Sequence, residues 1–258
     1  MTEKKKNVCL PKRLIASRKL IGNLAKNDFK KKFAGSYFGV IWAFIQPVIT
    51  VLLYWFVFEF GLHQKVNDLR TGIEVPFVLW LMGGLVPWFY FQEALNGGTG
   101  VLDEYSYLVK KVVFQIDALP VVKLISALFT HAFFVIFMLV VFVVMGFYPD
   151  LYVLQVVYYS FCMVIYATSA VTVFFRDMKE VVAILLQIGM WVTPIMWNFE
   201  SMQGIPKWAV VLLKLNPMYY IVSGYRDALI NKTAFWEHPG LTLWFWGITL
   251  FTLWAGTT

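Results

Sequence analysis

The chain has 258 residues, of which 60% are apolar or aromatic and 14% are charged, and its net charge is +7. An ordinary soluble domain holds about 25% charged residues, so this composition argues against one and favours a helical bundle in lipid. The basic residues flank apolar runs, which indicates attraction to an anionic membrane surface and predicts no nucleic-acid partner.

The N-terminal region is strongly basic. Eleven of the 22 Lys and Arg residues lie between Lys4 and Lys32, directly before residues 37–58, which contain no Asp, Glu, Lys or Arg. Because Lys and Arg resist translocation, this asymmetry predicts a cytoplasmic N-terminus. Within 11–34, apolar residues recur at helical spacing with basic residues between them, which predicts an amphipathic helix along the membrane surface. An amphipathic helix of a soluble subdomain is the alternative.

Basic residues near this surface are candidates for binding an anionic lipid headgroup. Simple anchoring on the cytoplasmic side explains the lysines equally well, and both roles are compatible. The candidates are Lys26, Lys30, Lys31, Lys32 and Arg176.

Six runs have the length and apolar character of membrane spans. The predicted spans are 37–60, 75–98, 119–147, 151–175, 181–197 and 241–258. A Gly35-Ser36 elbow precedes the first span, and the polar residues 102–118 separate the second from the third. With the N-terminus inside, this loop lies in the cytoplasm and the short turn at Asp150 lies outside.

Residues 198–240 contain two apolar pieces split by Asn216-Pro217, each too short to cross a bilayer. They predict a re-entrant helix pair over 203–231, with a helical hairpin lying flat on the outer surface as the alternative. The predicted fold is therefore an all-α integral membrane protein in a single domain, 1–258. It has six transmembrane helices, an N-terminal amphipathic interface helix and a re-entrant pair between spans 5 and 6.

The residue types that support catalysis or metal binding are not gathered in this sequence. No G-x-x-x-x-G-K-[ST] motif occurs, so the chain cannot bind nucleotide phosphates through a P-loop. His63, His131 and His238 are far apart and share no metal-type spacing, and Cys9 and Cys162 are predicted free thiols. We therefore expect no metal, no cofactor and no enzymatic activity in this chain.

One acidic residue and several aromatic rings are candidates for lining a translocation path. Glu93 lies within span 2, where a charge facing lipid would cost about 2.5–3.5 kcal/mol, so it should face other helices, a path or the interface. Aromatic rings can stack on sugars, although anchoring or packing explains any single ring more simply. The path candidates are Trp42, Phe89, Glu93, Trp191 and Trp197.

Six motifs in register resemble those of polysaccharide-export ABC transporter permeases, the ABC-2 group. They are GSYFGVIW at 35–42 followed by QP at 46–47, GLVPWF at 84–89, KKVVF at 110–114, FRD at 175–177, TPIMW at 193–197 and LNPMYY at 215–220. YWFVF at 54–58, PFVLW at 76–80 and SGYRD at 223–227 are most similar to the wall teichoic acid branch, with O-antigen and capsule permeases as relatives. Two departures are a chain that stops inside span 6 and a span 4 that looks several residues short.

The resemblance implies a permease subunit that forms a homodimer in a bacterial cell membrane and exports a lipid-pyrophosphate-linked glycan. Two copies of a P-loop ATPase subunit would bind ATP and Mg, and residues 102–118 would couple to them. The coupling residues so implied are Lys110, Lys111, Val112 and Phe114.

A membrane glycosyl- or acyltransferase acting on lipid-linked sugars is the alternative function. It would need acidic or His residues gathered at one membrane face, and the candidates are Asp103, Glu104 and Asp117. Ion-coupled secondary transport is disfavoured because such transporters use several charged residues near the midplane.

Overall fold

The computed structural model describes residues 17–32, 35–63, 66–67, 72, 74–105, 118–173, 179–199 and 204–257. These residues are mostly helical. The helices are α1 (Arg18–Lys31), α2 (Trp42–Trp55), α3 (Phe77–Glu104), α4 (Leu119–Val144), α5 (Leu154–Val173), α6 (Lys179–Val192), α7 (Lys207–Leu215), α8 (Pro217–Arg226) and α9 (Pro239–Thr257).

Short helical turns extend several of these elements. Turns at Gly39–Ile41 and Phe56–Gly61 flank α2, Leu151–Val153 precedes α5, Asp227–Asn231 follows α8 and Phe235–Glu237 precedes α9. One feature departs from the all-α prediction. The two-residue strands β1 (Val66–Asn67) and β2 (Glu74–Val75) form an antiparallel ribbon that pairs Val66 with Val75.

Three helices of the described chain are long and apolar enough to cross a bilayer: Gly39–Gly61, Leu119–Val144 and Leu151–Thr172. The chain is therefore a helical membrane protein, while the count of six spans stays a prediction. The helix within the fourth predicted span, Leu151–Thr172, is 22 residues long. That length covers about 33 Å at 1.5 Å per residue, enough for the hydrocarbon core.

The centre of the bundle is α3, which contacts α2, α4, α5, α6 and α8. Its side chains are buried almost without interruption from Phe77 to Phe91, and their apolar character suits burial on all sides. The helix begins two residues later than predicted and continues to Glu104, six residues beyond the predicted end at 98. Of the predicted coupling segment 102–118, residues 106–117 lie outside the described part of the chain.

Helix α6 ends at Val192, five residues before the predicted end of its span at 197. Pro194 explains the early end, because proline lacks an N–H group and disfavours helical geometry in the residue before it. Residues 193–196 are non-helical and buried. At 14 residues, α6 covers only about 21 Å.

The region predicted to be re-entrant forms two helices that meet at Asn216, whose side chain accepts a hydrogen bond from the Met218 backbone N–H at 3.0 Å. Helix α8 is buried along nearly its whole length against α3, α5 and α9. A Cβ atom at Gly224 would lie 2.1 Å from the Tyr159 ring, so glycine permits this close approach. In α7, by contrast, no residue is buried.

Candidate functional site

A cavity of about 710 Å³ lies along the second half of α3, between that helix and α1, α2 and α4. We call it the α1-end cavity. Its lining comprises Asp28, Lys32, Trp42, Ala43, Gln46, Pro47, Thr50, Tyr54, Phe89, Gln92, Glu93, Asn96, Gly97, Glu104, Lys123, Ser126, Thr130 and Met190. The 15-residue separation of Phe89 and Glu104 along α3 corresponds to about 22 Å, so the cavity is elongated.

Polar side chains of two apolar helices face this cavity. Gln46, Thr50 and Tyr54 recur at a spacing of four residues on α2, which places them on one helix face. Gln92 and Asn96 form a similar stripe on α3. Polar residues in membrane helices normally face the bundle interior or a water-filled cavity, because exposure to lipid is costly. The two stripes therefore give the cavity a hydrogen-bonding surface.

An ion pair lies where α1 meets this surface. Lys32 Nζ lies 2.8 Å from Glu93 Oε1. The lysine side chain is 51% exposed and the glutamate side chain 25% exposed, so solvent reaches both partners. A pair of this kind contributes little to stability and its partners can exchange for other ions.

A second set of charges is buried beneath α1. Asp28, which is 5% exposed, accepts hydrogen bonds from the Tyr105 hydroxyl at 2.5 Å and from Lys123 Nζ at 2.6 Å. Lys123 also lies 2.7 Å from Glu104. We call Asp28, Glu104, Tyr105 and Lys123 the Asp28 cluster.

The cluster holds Asp28 in its charged form. Burial by itself would raise the pKa of the Asp28 carboxyl, but hydrogen bonds from Lys123, Tyr105 and Ser126, together with the charge of Lys123, outweigh it. The pKa of Asp28 therefore lies below its usual value.

Aromatic rings complete the wall of the cavity. Trp42 on α2 is 44% exposed, Phe89 on α3 is partly buried against Phe134, and Tyr54 lies at the far end of the α2 stripe. Rings beside amide, hydroxyl and carboxylate groups suit a ligand with apolar C–H faces and many hydroxyls.

The structure separates the predicted path residues into two groups. Trp42, Phe89 and Glu93 line the α1-end cavity together with Lys32. Trp191 is 59% exposed, and its carbonyl accepts a hydrogen bond from the Trp197 indole at 2.9 Å.

Trp197 lines a smaller cavity of about 150 Å³ near the start of α3. The α1-end cavity receives Met190 from α6 instead of either tryptophan. The five predicted path residues therefore do not form one continuous surface within a subunit.

Of the predicted headgroup residues, Lys26, Lys30, Lys31 and Lys32 are exposed on or just after α1. Lys31 Nζ also lies 5.7 Å from the centre of the Tyr105 ring. Arg176 and the predicted coupling residues Lys110, Lys111, Val112 and Phe114 lie outside the described residues.

The sequence interpretation missed the Asp28 cluster, although a signal for it existed. Asp28 is the only acidic residue between Arg18 and Lys32, and Lys123 is the only charged residue of the apolar helix α4. An unmatched acid in a basic helix and an unmatched base in an apolar span are natural partners.

At the start of α3, a buried arginine organises the packing. Arg226 donates hydrogen bonds to the carbonyls of Trp80 at 3.2 Å, Pro194 at 2.7 Å and Ile195 at 2.8 Å. Its guanidinium carbon lies 3.3 Å from the centre of the Trp80 ring. The bonds to Pro194 and Ile195 satisfy carbonyls just beyond the early end of α6, whereas the bond to Trp80 connects Arg226 to α3.

Residues 19–230 match the family model described as "ABC-2 type transporter". An O-antigen export system permease protein RfbA from Myxococcus xanthus is 26% identical over 89% of this chain and 85% of its own length. An RfbA protein from Klebsiella pneumoniae is 23% identical over 88% of this chain and 86% of its own length. The polysialic acid transport protein KpsM of Escherichia coli is 25% identical over 79% of this chain and 78% of its own length.

The predicted resemblance to polysaccharide-export ABC permeases is confirmed by these matches, and so is the prediction of a transport subunit rather than an enzyme. The finer resemblance to the teichoic acid branch stays a prediction.

Proposed function

Because this chain belongs to the family of ABC-2 type transporters, we propose that it is the membrane-spanning permease subunit of an ATP-driven exporter. Its cargo is a lipid-linked cell-wall polysaccharide, O-antigen-like or teichoic acid-like, that moves outward from the cytoplasmic leaflet. The relatives named for O-antigen export and polysialic acid transport support this cargo class. The α1-end cavity is the observation that carries the proposal. Apolar helices line it with amides, hydroxyls and aromatic rings.

The proposed cargo has two chemically different parts, and the site offers groups for both. Trp42, Tyr54 and Phe89 would stack on sugar rings, while Gln46 and Gln92 would hydrogen-bond their hydroxyls. The exposed amines of α1 would attract the pyrophosphate linker at the membrane surface. Lys32 serves both regions, because it follows α1 and also lines the cavity.

The proposed architecture is one domain of six spans with a cytoplasmic N-terminus, an interface helix and a re-entrant pair over 203–231. Burial of α8 among α3, α5 and α9 supports the re-entrant placement, because short helices at membrane depth need surrounding protein. A homodimer would complete the path, and two P-loop ATPase copies would bind ATP and Mg and act on residues 102–118. Among the residues there, Lys110, Lys111, Val112 and Phe114 would meet the ATPase.

The test is transport by the purified complex. The chain and its partner ATPase are reconstituted together in vesicles that carry a fluorescent lipid-pyrophosphate-linked oligosaccharide on the ATPase-facing side. We expect ATP-dependent appearance of the glycan on the other side, measured by its accessibility to an added glycosidase. Vesicles with the permease alone should show neither transport nor ATP hydrolysis.

Variants of the cavity connect this activity to the site. Gln46→Leu and Gln92→Leu should reduce glycan transport because each removes a hydrogen-bonding group from the cavity wall. Glu74→Gln, an exposed change in the ribbon before α3, is the matched control and should transport normally. Normal transport by both cavity variants would contradict the proposed path, and absence of any ATP-dependent transport by the wild-type complex would contradict the function.

A further inference from the structure

The Asp28 cluster joins three separate segments of the chain. Asp28 belongs to α1, Tyr105 follows the last residue of α3, and Lys123 belongs to the second turn of α4. Hydrogen bonds of 2.5 and 2.6 Å connect Asp28 to the other two. The last turn of α3 and the first turns of α4 are also the two flanks of residues 106–117.

Apolar packing reinforces the same connection. Ile21 and Ala25 of α1 are buried against Ala118 and Val122 at the start of α4. The Phe29 ring lies 5.7 Å from the Phe129 ring, between centres. The apolar stripe of α1 therefore faces α4, and charged and apolar contacts both attach α1 to that helix.

The two ion pairs that connect α1 to the rest of the bundle differ in burial. Asp28 and Lys123 are 5% and 12% exposed, whereas Lys32 and Glu93 are 51% and 25% exposed. Removing one partner of a buried pair leaves an uncompensated charge, while an exposed pair breaks at little cost. Any displacement of α1 should therefore break the Lys32–Glu93 contact before it breaks the Asp28 contacts.

We infer that Asp28 is a positioning residue that makes α1 move together with α4 and the end of α3. In this arrangement, a partner subunit that displaces residues 106–117 displaces α1 as well, and the mouth of the α1-end cavity changes with it. α1 does not swing independently on the surface of α4. The inference rests on the proposed function, because that function supplies the partner that pushes on residues 106–117.

The first test fixes α1 to α4 covalently. Cysteines replace Ala25 and Val122 in a Cys9→Ser, Cys162→Ser background, and the reconstituted complex is assayed before and after oxidation. Because the two helices move as one body, the oxidised complex should transport glycan at the rate of the reduced complex. Loss of transport on oxidation, restored by reductant, would show that α1 separates from α4 and would overturn the inference.

The second test removes the negative charge of Asp28, which weakens its buried hydrogen bonds with Tyr105 and Lys123. Asp28→Asn should keep assembly with the ATPase and ATP hydrolysis, while glycan transported per ATP falls about tenfold, the factor that one charge-assisted hydrogen bond represents. Tyr105→Phe should have a smaller effect in the same direction, and Asp28→Glu should restore part of the ratio. Tyr148→Phe, at an exposed position remote from the cluster, is the control.

The outcomes separate this inference from the proposed function. A purely structural role would lower assembly, hydrolysis and transport in proportion and leave the ratio of transport to hydrolysis unchanged, which would overturn the inference. If the wild-type complex transports glycan and Asp28→Asn has the same ratio of transport to hydrolysis, the inference is also overturned. The proposed function would then remain intact. A wild-type complex without transport would instead remove the function on which the inference rests.

Discussion

The two ends of α3 use polar groups in opposite ways. At its start, residues 77–88 are buried by protein, and Arg226 is fixed by three carbonyls and one indole ring. Toward its end, Gln92, Glu93 and Asn96 line the α1-end cavity, and Glu93 contacts a solvent-exposed lysine. The first arrangement holds helices at fixed positions, while the second leaves polar groups accessible from the cavity.

The two ends of α3 differ in the access of solvent to their polar groups rather than in the number of those groups. A hydrogen bond in a site without water is strong, and an unmade one there is costly. The same contact in a solvated cavity is nearly neutral because water replaces either partner. We therefore expect changes at the start of α3 to affect folding and changes at the cavity to affect transport.

The largest effect is expected for Arg226→Met. The substitution leaves the carbonyls of Trp80, Pro194 and Ile195 without their donor, and we expect a loss of at least about 3 kcal/mol in the free energy of unfolding. Denaturant titration in detergent, followed by tryptophan fluorescence, measures it. Arg226→Lys keeps the charge but lacks the planar fork, so it should recover only part of the loss. Full stability of Arg226→Met would contradict the rigid character of this end.

A smaller loss is expected for Gly224→Ala. The new Cβ would lie 2.1 Å from the Tyr159 ring, and overpacking of this kind costs about 1–3 kcal/mol. The midpoint of thermal unfolding should fall. Gly247→Ala in α9 is the matched control, because its Cβ meets nothing within 4 Å, and it should leave the midpoint unchanged or raise it. Equal effects of the two changes would refute close packing of α8 on α5.

The Asp28 cluster should contribute less to stability than Arg226 and more than an exposed ion pair. Because its contribution depends on the charge of Asp28, unfolding measured at several pH values tests it. The pKa of Asp28 is lowered in the folded protein, so its stabilising contribution is complete above the unfolded pKa, about 4, and is lost as pH falls through the folded pKa. Asp28→Asn should cost about 1–3 kcal/mol at pH 7. The difference in unfolding free energy between wild type and Asp28→Asn should shrink below about pH 4.

The control for this prediction is Asp150→Asn, an exposed carboxylate at the other end of the bundle that pairs with Lys232 at 2.9 Å. It should change stability by less than about 1 kcal/mol at pH 7. A difference for Asp28→Asn that stays constant between pH 7 and pH 3 would show that the Asp28 charge contributes nothing to folding.

The helical framework could be predicted largely from the sequence, because its signals are local. Apolar runs located the helices, helical spacing located α1, and Asn216-Pro217 located the junction of α7 and α8. The end of α6 was misplaced by five residues although Pro194 marked it, since the apolar character of 193–197 continued the pattern. The two-residue strands β1 and β2 are too short for any alternation to reveal.

The site could be predicted only in part, because its contacts join distant positions. Glu93 and Lys32 were each identified, but their pairing across 61 residues was not. Asp28 and Lys123 lie 95 residues apart, and only the packing of α1 on α4 brings them together. Periodicity gives the face of each helix, whereas the choice of facing helix depends on tertiary packing.

The smallest effect on stability is expected for the Lys32–Glu93 pair. A double-mutant cycle of Lys32→Met and Glu93→Gln should give a coupling energy of about 0.2–1 kcal/mol, because both side chains are solvated. High salt should reduce that energy further by screening. The cycle of Asp28→Asn and Lys123→Met is the internal comparison and should give a larger, less salt-sensitive coupling, since that pair is buried. Equal coupling energies in the two cycles would mean that the solvated pair stabilises the fold as much as the buried pair does. Glu93 would then have a structural role like that of Arg226, and a ligand could not replace its partner at little cost.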